Sequence, residues 1–315
     1  MRAIPLFALL LGGWCAIPAY ADEAQDWLNR LGQAERQQSF QGTFVYERSG
    51  SFSTHNIWHR VQDGKVRERL LQLDGSAQEV LRIDGRTQCV SGSLVAGLGN
   101  TPDSTTRTLD PQKLKNWYDL VVVGKSRVAG RQAVIVALTP KDQHRYGFEL
   151  HVDKETGLPL KSLLLNDKGQ LLERFQFTRL NVAVPTDADL QASADCKDVA
   201  QDPDRAAAMK TTWHSDWLPP GFELTSSAAR KDPDTRIQVN SLMYDDGLAR
   251  VSVFVEPLNG ANATDTRTQL GPTAAVSRRL TTPQGEMMVT VVGEIPIGTA
   301  ERIALSMRSD VVAPQ

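Results

Sequence analysis

The hydrophobic pattern changes period soon after the start of the chain. From Asp22 to Gln38 the apolar positions Trp27, Leu28, Leu31 and Ala34 recur at helical spacing, with Asp22, Glu23 and Asp26 near the positive end of the dipole. At Phe40 the period becomes two. Phe40, Gly42, Phe44 and Tyr46 alternate with Gln41, Thr43, Val45 and Glu47, Ser49-Gly50 interrupts, and a second strand is predicted over Ser51 to Val61. Asp63-Gly64, Asp74-Gly75 and Asp84-Gly85 then punctuate short runs of Val, Leu and Ile. Both residue types tolerate positive φ, so each pair predicts a tight antiparallel turn. Ser91 to Asp110 is irregular, and Pro111 to Trp117 reads as a short helix.

Strands resume at Asp119–Val123, Ala133–Leu138, Tyr146–Val152, Leu158–Leu165 and Gln170–Leu180. About ten strands before residue 182 are too many for one flat sheet, so the sheet should curl into a half-barrel with a concave interior and helices on one side. Pro185 to Lys210, rich in Asp and Ala and without apolar periodicity, reads as a linker. A second β-rich unit begins at Thr211. It carries a hairpin of Ile237–Tyr244 and Leu248–Glu256 across Asp245-Asp246-Gly247, further strands at Ala274–Leu280 and Glu286–Gly293, and a closing helix over Pro296–Met307. The expected class is α+β, mainly antiparallel β: a large curled domain over 22–184, a linker over 185–210 and a smaller domain over 211–315.

Composition fits that reading. Of 315 residues 41% are hydrophobic and 23% charged, enough for a sizeable core. The formal net charge of -2 lacks the basic excess of a nucleic-acid binder, and nucleic acid is not expected as a partner. Residues 1–21 look like a secretory leader: Arg2, an apolar run from Ile4 to Trp14 shorter than the roughly 20 residues of a membrane span, then Ala19-Tyr20-Ala21. Cleavage is expected between Ala21 and Asp22. Trp14 directly before Cys15 does not resemble a lipobox. No later stretch is apolar enough to span a bilayer, so the mature chain is expected to be soluble. Two cysteines remain, Cys89 and Cys196. In an oxidising compartment they read as a disulfide, worth on the order of 4 kcal/mol for a loop of this length; the alternative is two separate buried thiols.

Candidate chemistry is sparse. His55 and His59 have zincin spacing but lie in a predicted strand with Ile57 between them and no Glu after His55, so they read as groove or surface residues. Glu149, His151 and Asp153 alternate with Phe148, Leu150 and Val152 and read as the solvated side of a strand. His144 and His214 suggest no role. No nucleophile elbow, phosphate-binding loop or Cys-x-x-Cys pair is present, and neither enzyme activity, a metal nor a cofactor is expected. Phe40, Phe44, Tyr46, Phe52 and Trp58 read as one parity of the first two strands. That parity is either core packed by helices or the lining of a cavity for an acyl chain or peptide.

Several motifs then occur in order along the chain. They are Asp26-Trp27-Leu28, Ser39 to Tyr46, His55 with Trp58-His59-Arg60, Arg67-Glu68-Arg69-Leu70 followed by Leu73-Asp74-Gly75, and Tyr146 to Leu150 followed by Thr156 to Pro159. In the second unit follow Trp217 to Phe222, Asp246 to Ala249, and Val291 to Glu294 with Thr299 to Arg302. Together they resemble the MucB/RseB family. The resemblance implies a first domain similar to the lipoprotein-carrier half-barrel. It also implies a periplasmic negative regulator of an envelope-stress sigma factor. Such a regulator binds the periplasmic part of a single-span inner-membrane anti-sigma factor, shields it from regulated proteolysis and is released by lipid or lipopolysaccharide-type signals. In a pseudomonad it would restrain alginate production. Phe44, Tyr46, Trp58, Leu70 and Phe177 are the candidate lipid-facing residues, and Trp217, Phe222, Tyr244 and Arg250 the candidate partner contacts. A second copy of the chain is a further candidate partner. The competing function is a periplasmic lipid or lipoprotein carrier, which would need only the first domain; an envelope hydrolase would need a nucleophile that the sequence does not display.

Overall fold

The computed structural model describes residues 19–92, 109–199, 211–231, 237–260, 263–283 and 285–310. Residues 1–18 of the expected leader (1–21), and most of the irregular stretch after Ser91, lie outside these. The first helix, α1, spans Ala19–Gln37, beginning three residues before the expected Asp22. Ala24, Leu28, Leu31 and Ala34 form its buried stripe.

Ten strands follow: β1 (Phe40–Arg48), β2 (Ser51–Gln62), β3 (Lys65–Gln72), β4 (Glu79–Ile83), β5 (Arg86–Val90), β6 (Tyr118–Val128), β7 (Arg131–Pro140), β8 (Gly147–Asp153), β9 (Pro159–Leu165) and β10 (Leu171–Asn181). A short helix, α2 (Pro111–Leu114), precedes β6 and is capped by the Asp110 carboxylate, which accepts from the Gln112 and Lys113 amides. A two-residue strand, β11 (Lys197–Asp198), completes an eleven-stranded antiparallel sheet in the order β11-β5-β4-β3-β2-β1-β10-β9-β8-β7-β6. Ser49-Gly50, Asp63-Gly64, Asp84-Gly85 and Ala129-Gly130 make two-residue turns with positive φ at both positions, the geometry that matches strand twist. Asp74-Gly75 differs from expectation. Only Gly75 has positive φ, the connection from β3 to β4 is longer, and the Asp74 carboxylate accepts from the Thr54 amide at 2.7 Å. The strand predicted to stop at Val123 runs on to Val128 and turns at Ala129-Gly130.

The sheet curls without closing. Ala129, at the β6–β7 turn, and Leu180, from β10, both pack against Val128, Ala133 and Leu160, although three strands separate β6 from β10. The face they share with α1 is therefore concave. One half of it is filled by α1 packed on Tyr118, Leu120, Val134, Val136 and Leu138. The other half carries Phe40, Phe44 and Phe177 beneath Ala34 and Leu158. Gly42 is required here, because a Cβ would come 2.5 Å from the Arg179 carbonyl oxygen and 2.8 Å from the Phe177 ring. Gly42→Ala is expected to destabilise the chain by about 1–3 kcal/mol, read by thermal unfolding, since neither backbone nor a packed ring can yield cheaply.

Residues 185–199, expected to be part of the linker, lie on the first sheet. Asp187 pairs with Arg60, Ser193 bonds Glu79, Leu190 is fully buried, and Cys196 is disulfide-bonded to Cys89. The bridge sits where β11 pairs with β5 (Asp198 opposite Cys89), so the staple and the added strand coincide. A second correction concerns β8. His151 and Asp153 are buried rather than solvated: His151 contacts Ser126 and Glu149, and Asp153 is held by Arg131 at 2.8 Å and by the Thr156 amide.

The second unit is a six-stranded antiparallel sheet in the order β13-β14-β15-β18-β17-β16. Its strands are β13 (Glu223–Lys231), β14 (Gln238–Asp245), β15 (Arg250–Pro257), β16 (Thr266–Leu270), β17 (Thr273–Thr282) and β18 (Gly285–Gly293). Helix α3 (Ile297–Ser306) lays Ala300, Ile303 and Ala304 on Val251, Val253, Val255, Val276, Val289 and Val291. A two-stranded ribbon of β12 (Trp213–Ser215) and β19 (Met307–Ser309) closes the unit.

Candidate functional site

Strand register decides which aromatic residues share the concave face. The Ser49-Gly50 turn pairs Arg48 with Ser51, so even-numbered positions of β1 stand opposite odd-numbered positions of β2. Directly opposed residues share a face. Phe44 is opposite His55 and Phe177, Gly42 is opposite Ile57, and Ile57 is opposite Leu70. Four of the five lipid-facing candidates, Phe44, Tyr46, Leu70 and Phe177, therefore lie together, joined by Ile57 and Phe175. Trp58 does not join them. It stands opposite Gln41 and Arg69 on the other face, with the Arg69 guanidinium 4.9 Å from its ring, and Phe52 shares that outer face opposite Glu47. The reading that placed both with Phe44 is corrected by this register.

Phe44 and Phe177 are nearly buried, at 7% and 2% exposure, with ring centroids 5.9 Å apart; Phe175 lies 4.7 Å from Phe44. His55 and His59 stack on Phe44 and Phe40 at 5.0 and 4.8 Å. Burial pulls the His55 imidazole below its ordinary value, which favours the neutral ring against an aromatic wall. Tyr46, Ile57, Leu70 and Phe175 are only partly covered, leaving an apolar strip along β1, β2, β3 and β10. Its polar margin is Tyr46, whose hydroxyl donates to Glu173 at 2.7 Å. Burial pushes the Glu173 carboxyl up, against the Tyr46 hydrogen bond.

The junction between the two units is built around Arg145, in the loop between β7 and β8. Its guanidinium donates to Asp246 at 2.6 Å, to Asp142 at 2.9 Å and to the Pro220 carbonyl, and both Arg145 and Asp246 side chains have no exposure. The Tyr118 hydroxyl also donates to Asp246. The rings of Trp117, Tyr118 and Phe222 surround the cation within 6.0 Å. Although burial disfavours its charge, Asp142 and Asp246 hold Arg145 protonated. Gly221 is at φ +87 with the Trp117 indole against its Cα, so this approach needs glycine twice over.

This geometry places the partner candidates. Phe222 and Tyr244 are 5% and 3% exposed and belong to the second unit's core. As folded they offer little surface, and the Phe222 ring also packs beside the Arg145 guanidinium at 5.2 Å. Trp217 is partly exposed, with the Arg302 guanidinium 3.8 Å from its ring and the His144 ring 5.1 Å away across the junction. Arg250 is held by Asp245 at 3.0 Å. Arg48, Tyr118, Arg145 and Glu173 were not singled out from the sequence. Asp246 stood inside a recognised turn, but nothing local distinguished its burial from that of any turn aspartate.

Two family models match the chain: the MucB/RseB N-terminal domain over residues 23–196 and the MucB/RseB C-terminal domain over 207–308. The chain belongs to the MucB/RseB family. Among its relatives, the sigma factor AlgU regulatory protein MucB of Pseudomonas aeruginosa is 63% identical over 99% of both chains. The sigma-E factor regulatory protein RseB of Haemophilus influenzae is 29% identical over 98% of this chain and 99% of its own. Two solved structures align across the fold. The Pseudomonas aeruginosa MucA/MucB complex matches with TM-score 0.82 and 61% identity, and MucB in complex with MucA(peri) with TM-score 0.80 and 62% identity. Each covers 92% of this chain and 100% of the compared chain. The motifs noted in the sequence contribute Phe222 and Asp246 to the junction and Phe44, Tyr46 and Leu70 to the apolar strip, while Arg145, Tyr118, Ile57, Phe175 and Phe177 lie outside them. No helix among the described residues is long and apolar enough to cross a membrane.

Proposed function

We propose that this protein is a periplasmic negative regulator of an envelope-stress sigma factor. It binds the periplasmic segment of a single-span anti-sigma factor and shields that segment from regulated proteolysis; a lipid or lipopolysaccharide-type ligand on the concave apolar strip releases it. In a pseudomonad it restrains alginate production. The observation that carries the reading is the full-length identity to MucB together with the match to MucB bound to MucA(peri). Shielding needs no catalysis: a flexible segment that orders on the regulator is withdrawn from a protease. Release follows from linkage when the ligand favours the form that binds the segment less well.

The partly covered strip of Tyr46, Ile57, Leu70 and Phe175 also suits a carrier of lipid or lipoprotein, a reading that leaves the second domain without a role. The register makes the lipid site testable. Leu70→Asp is expected to weaken binding of myristoyl lysophosphatidylcholine at least about tenfold, the equivalent of one misplaced charge on an apolar wall. Trp58→Asp, on the outer face, should leave binding within about twofold. Equal loss in both variants, with thermal unfolding unchanged, would remove the strip as the ligand site.

A further inference from the structure

Several side-chain contacts join the domains, among them Lys113 with Glu223 at 2.6 Å, His144 with Thr299 at 3.2 Å and Tyr146 with Gln269, and two of them are of unlike character. Arg145 and Asp246 are sealed from water. The other contact is made by Arg48, the last residue of β1, and is open, with Arg48 at 33% and Glu294 at 42% side-chain exposure. Arg48 reaches Glu294 at 3.4 Å and also donates to the Thr273 hydroxyl, both residues of the second domain. Beside it, Ser49 packs so closely on Gly271, at the β16–β17 turn, that a side chain there would overlap its hydroxyl.

The inner end of this contact is the apolar strip. Arg48 lies on the same face of β1 as Tyr46 and Phe44. Its guanidinium is 3.4 Å from the Tyr46 hydroxyl and 3.9 Å from Glu173, the carboxylate to which Tyr46 donates. Phe175 stands directly opposite Tyr46, and Glu173 opposite Arg48. A continuous row therefore runs from Phe44 and Phe175, through Tyr46, Glu173 and Arg48, to Thr273 and Glu294. One end faces the lipid strip and the other holds the second domain.

We infer that Tyr46, Glu173 and Arg48 couple the concave strip to the docking of the second domain: an acyl chain seated beside Phe175 draws the Tyr46 hydroxyl off Glu173, Glu173 then takes Arg48, and Arg48 lets go of Thr273 and Glu294. The second domain loosens along its β16–β17 side while Arg145–Asp246 holds as the pivot. A link that must open repeatedly has to be solvent-accessible and individually weak, and Arg48 is; a pivot has to be costly to break, and Arg145 is. The inference rests on the lipid reading for its trigger, but the row itself can be tested without lipid.

The experiment is amide hydrogen exchange on the mature, full chain without ligand, comparing wild type with Tyr46→Phe and Arg48→Met. Tyr46→Phe removes one hydroxyl, in the first domain, whose hydrogen-bond partners, Glu173 and Arg48, are both in that domain. Exchange in peptides covering 266–275 should rise at least about fivefold in both variants, with the thermal unfolding midpoint unchanged and exchange around Asp246 unaffected. Acceleration in Arg48→Met but not in Tyr46→Phe overturns the coupling and leaves Arg48 a plain interdomain contact. The same measurement on wild type with myristoyl lysophosphatidylcholine should reproduce the acceleration, and binding of that probe without acceleration also overturns it. Failure of the probe to bind, measured separately by calorimetry, removes the lipid reading instead, so the two failures are told apart.

Discussion

Asp246→Asn is expected to destabilise the protein by about 3–5 kcal/mol, although it exchanges a single oxygen for an amide nitrogen. The substitution is nearly isosteric and keeps the Oδ1 that accepts from the Leu248 and Ala249 amides, so the turn survives. What it removes is the charge facing Arg145 and the acceptor shared with Tyr118. An amide NH2 there confronts two donors, and the buried guanidinium keeps only Asp142, which is partly exposed, and the Pro220 carbonyl. The second site of the cycle is Arg145→Met. That change alone should also cost several kcal/mol, because it leaves the Asp246 carboxylate buried and uncompensated. The double variant should cost clearly less than the sum. Urea unfolding followed by tryptophan fluorescence, to which Trp117 at the junction contributes, reads each value. A cost below about 1 kcal/mol for Asp246→Asn would mean that water reaches the pair and that the junction is not held there.

Loss of the disulfide is expected to have an effect of similar size by a different route. Cys89 and Cys196 close a loop of 107 residues. The chain-entropy account assigns about 4–5 kcal/mol to a loop of that length, acting on the unfolded chain. Locally the bridge also holds β11, which pairs with β5 through Lys197 and Asp198 with one further bond from the Val199 amide to the Gln88 carbonyl, too little to persist unaided. Cys89→Ala/Cys196→Ala, or reduction of the wild type, should lower the unfolding free energy by that amount and raise proteolytic cleavage after Ser193. Leu190 and the Arg60–Asp187 pair should keep the earlier part of the segment in place. An unchanged unfolding free energy on reduction would show that the unfolded chain gains no freedom when the loop opens.

Local signals carried most of the fold. Period-two patterning and paired turn residues located nearly every strand, because each depends on neighbours a few residues away. Cys89 and Cys196 were legible as a pair because the export expected from the leader limits what two lone cysteines do. Where the reading failed, the cause was a relation between strands or between domains. Trp58 was placed with Phe44 by counting within strands, whereas a two-residue turn shifts parity between them, so the Ser49-Gly50 turn already contained the correction. His151 and Asp153 looked solvated by alternation, but the outer side of β8 is covered by Arg131, Ser126 and Glu149 from neighbouring positions. Arg145 had no signal at all. A charged residue in a polar loop reads as surface until partners 75 and 101 residues away close over it. Phe222 looked available for the same reason, since an aromatic residue beside a proline-rich entry does not announce which core it enters, and Tyr244 reads as either face of its strand until the sheet is assembled.

At the centre of the proposed function, this chain holds an anti-sigma segment and yields it to a lipid. Calorimetric titration of the mature chain with the periplasmic segment of its host's anti-sigma factor, repeated with the apolar strip saturated by myristoyl lysophosphatidylcholine, tests it most directly. The expected result is micromolar or tighter binding without lipid and at least about tenfold weaker binding with it, a coupling of roughly 1.4 kcal/mol. Segment affinity that is absent, or that does not change when the lipid is bound, would contradict it.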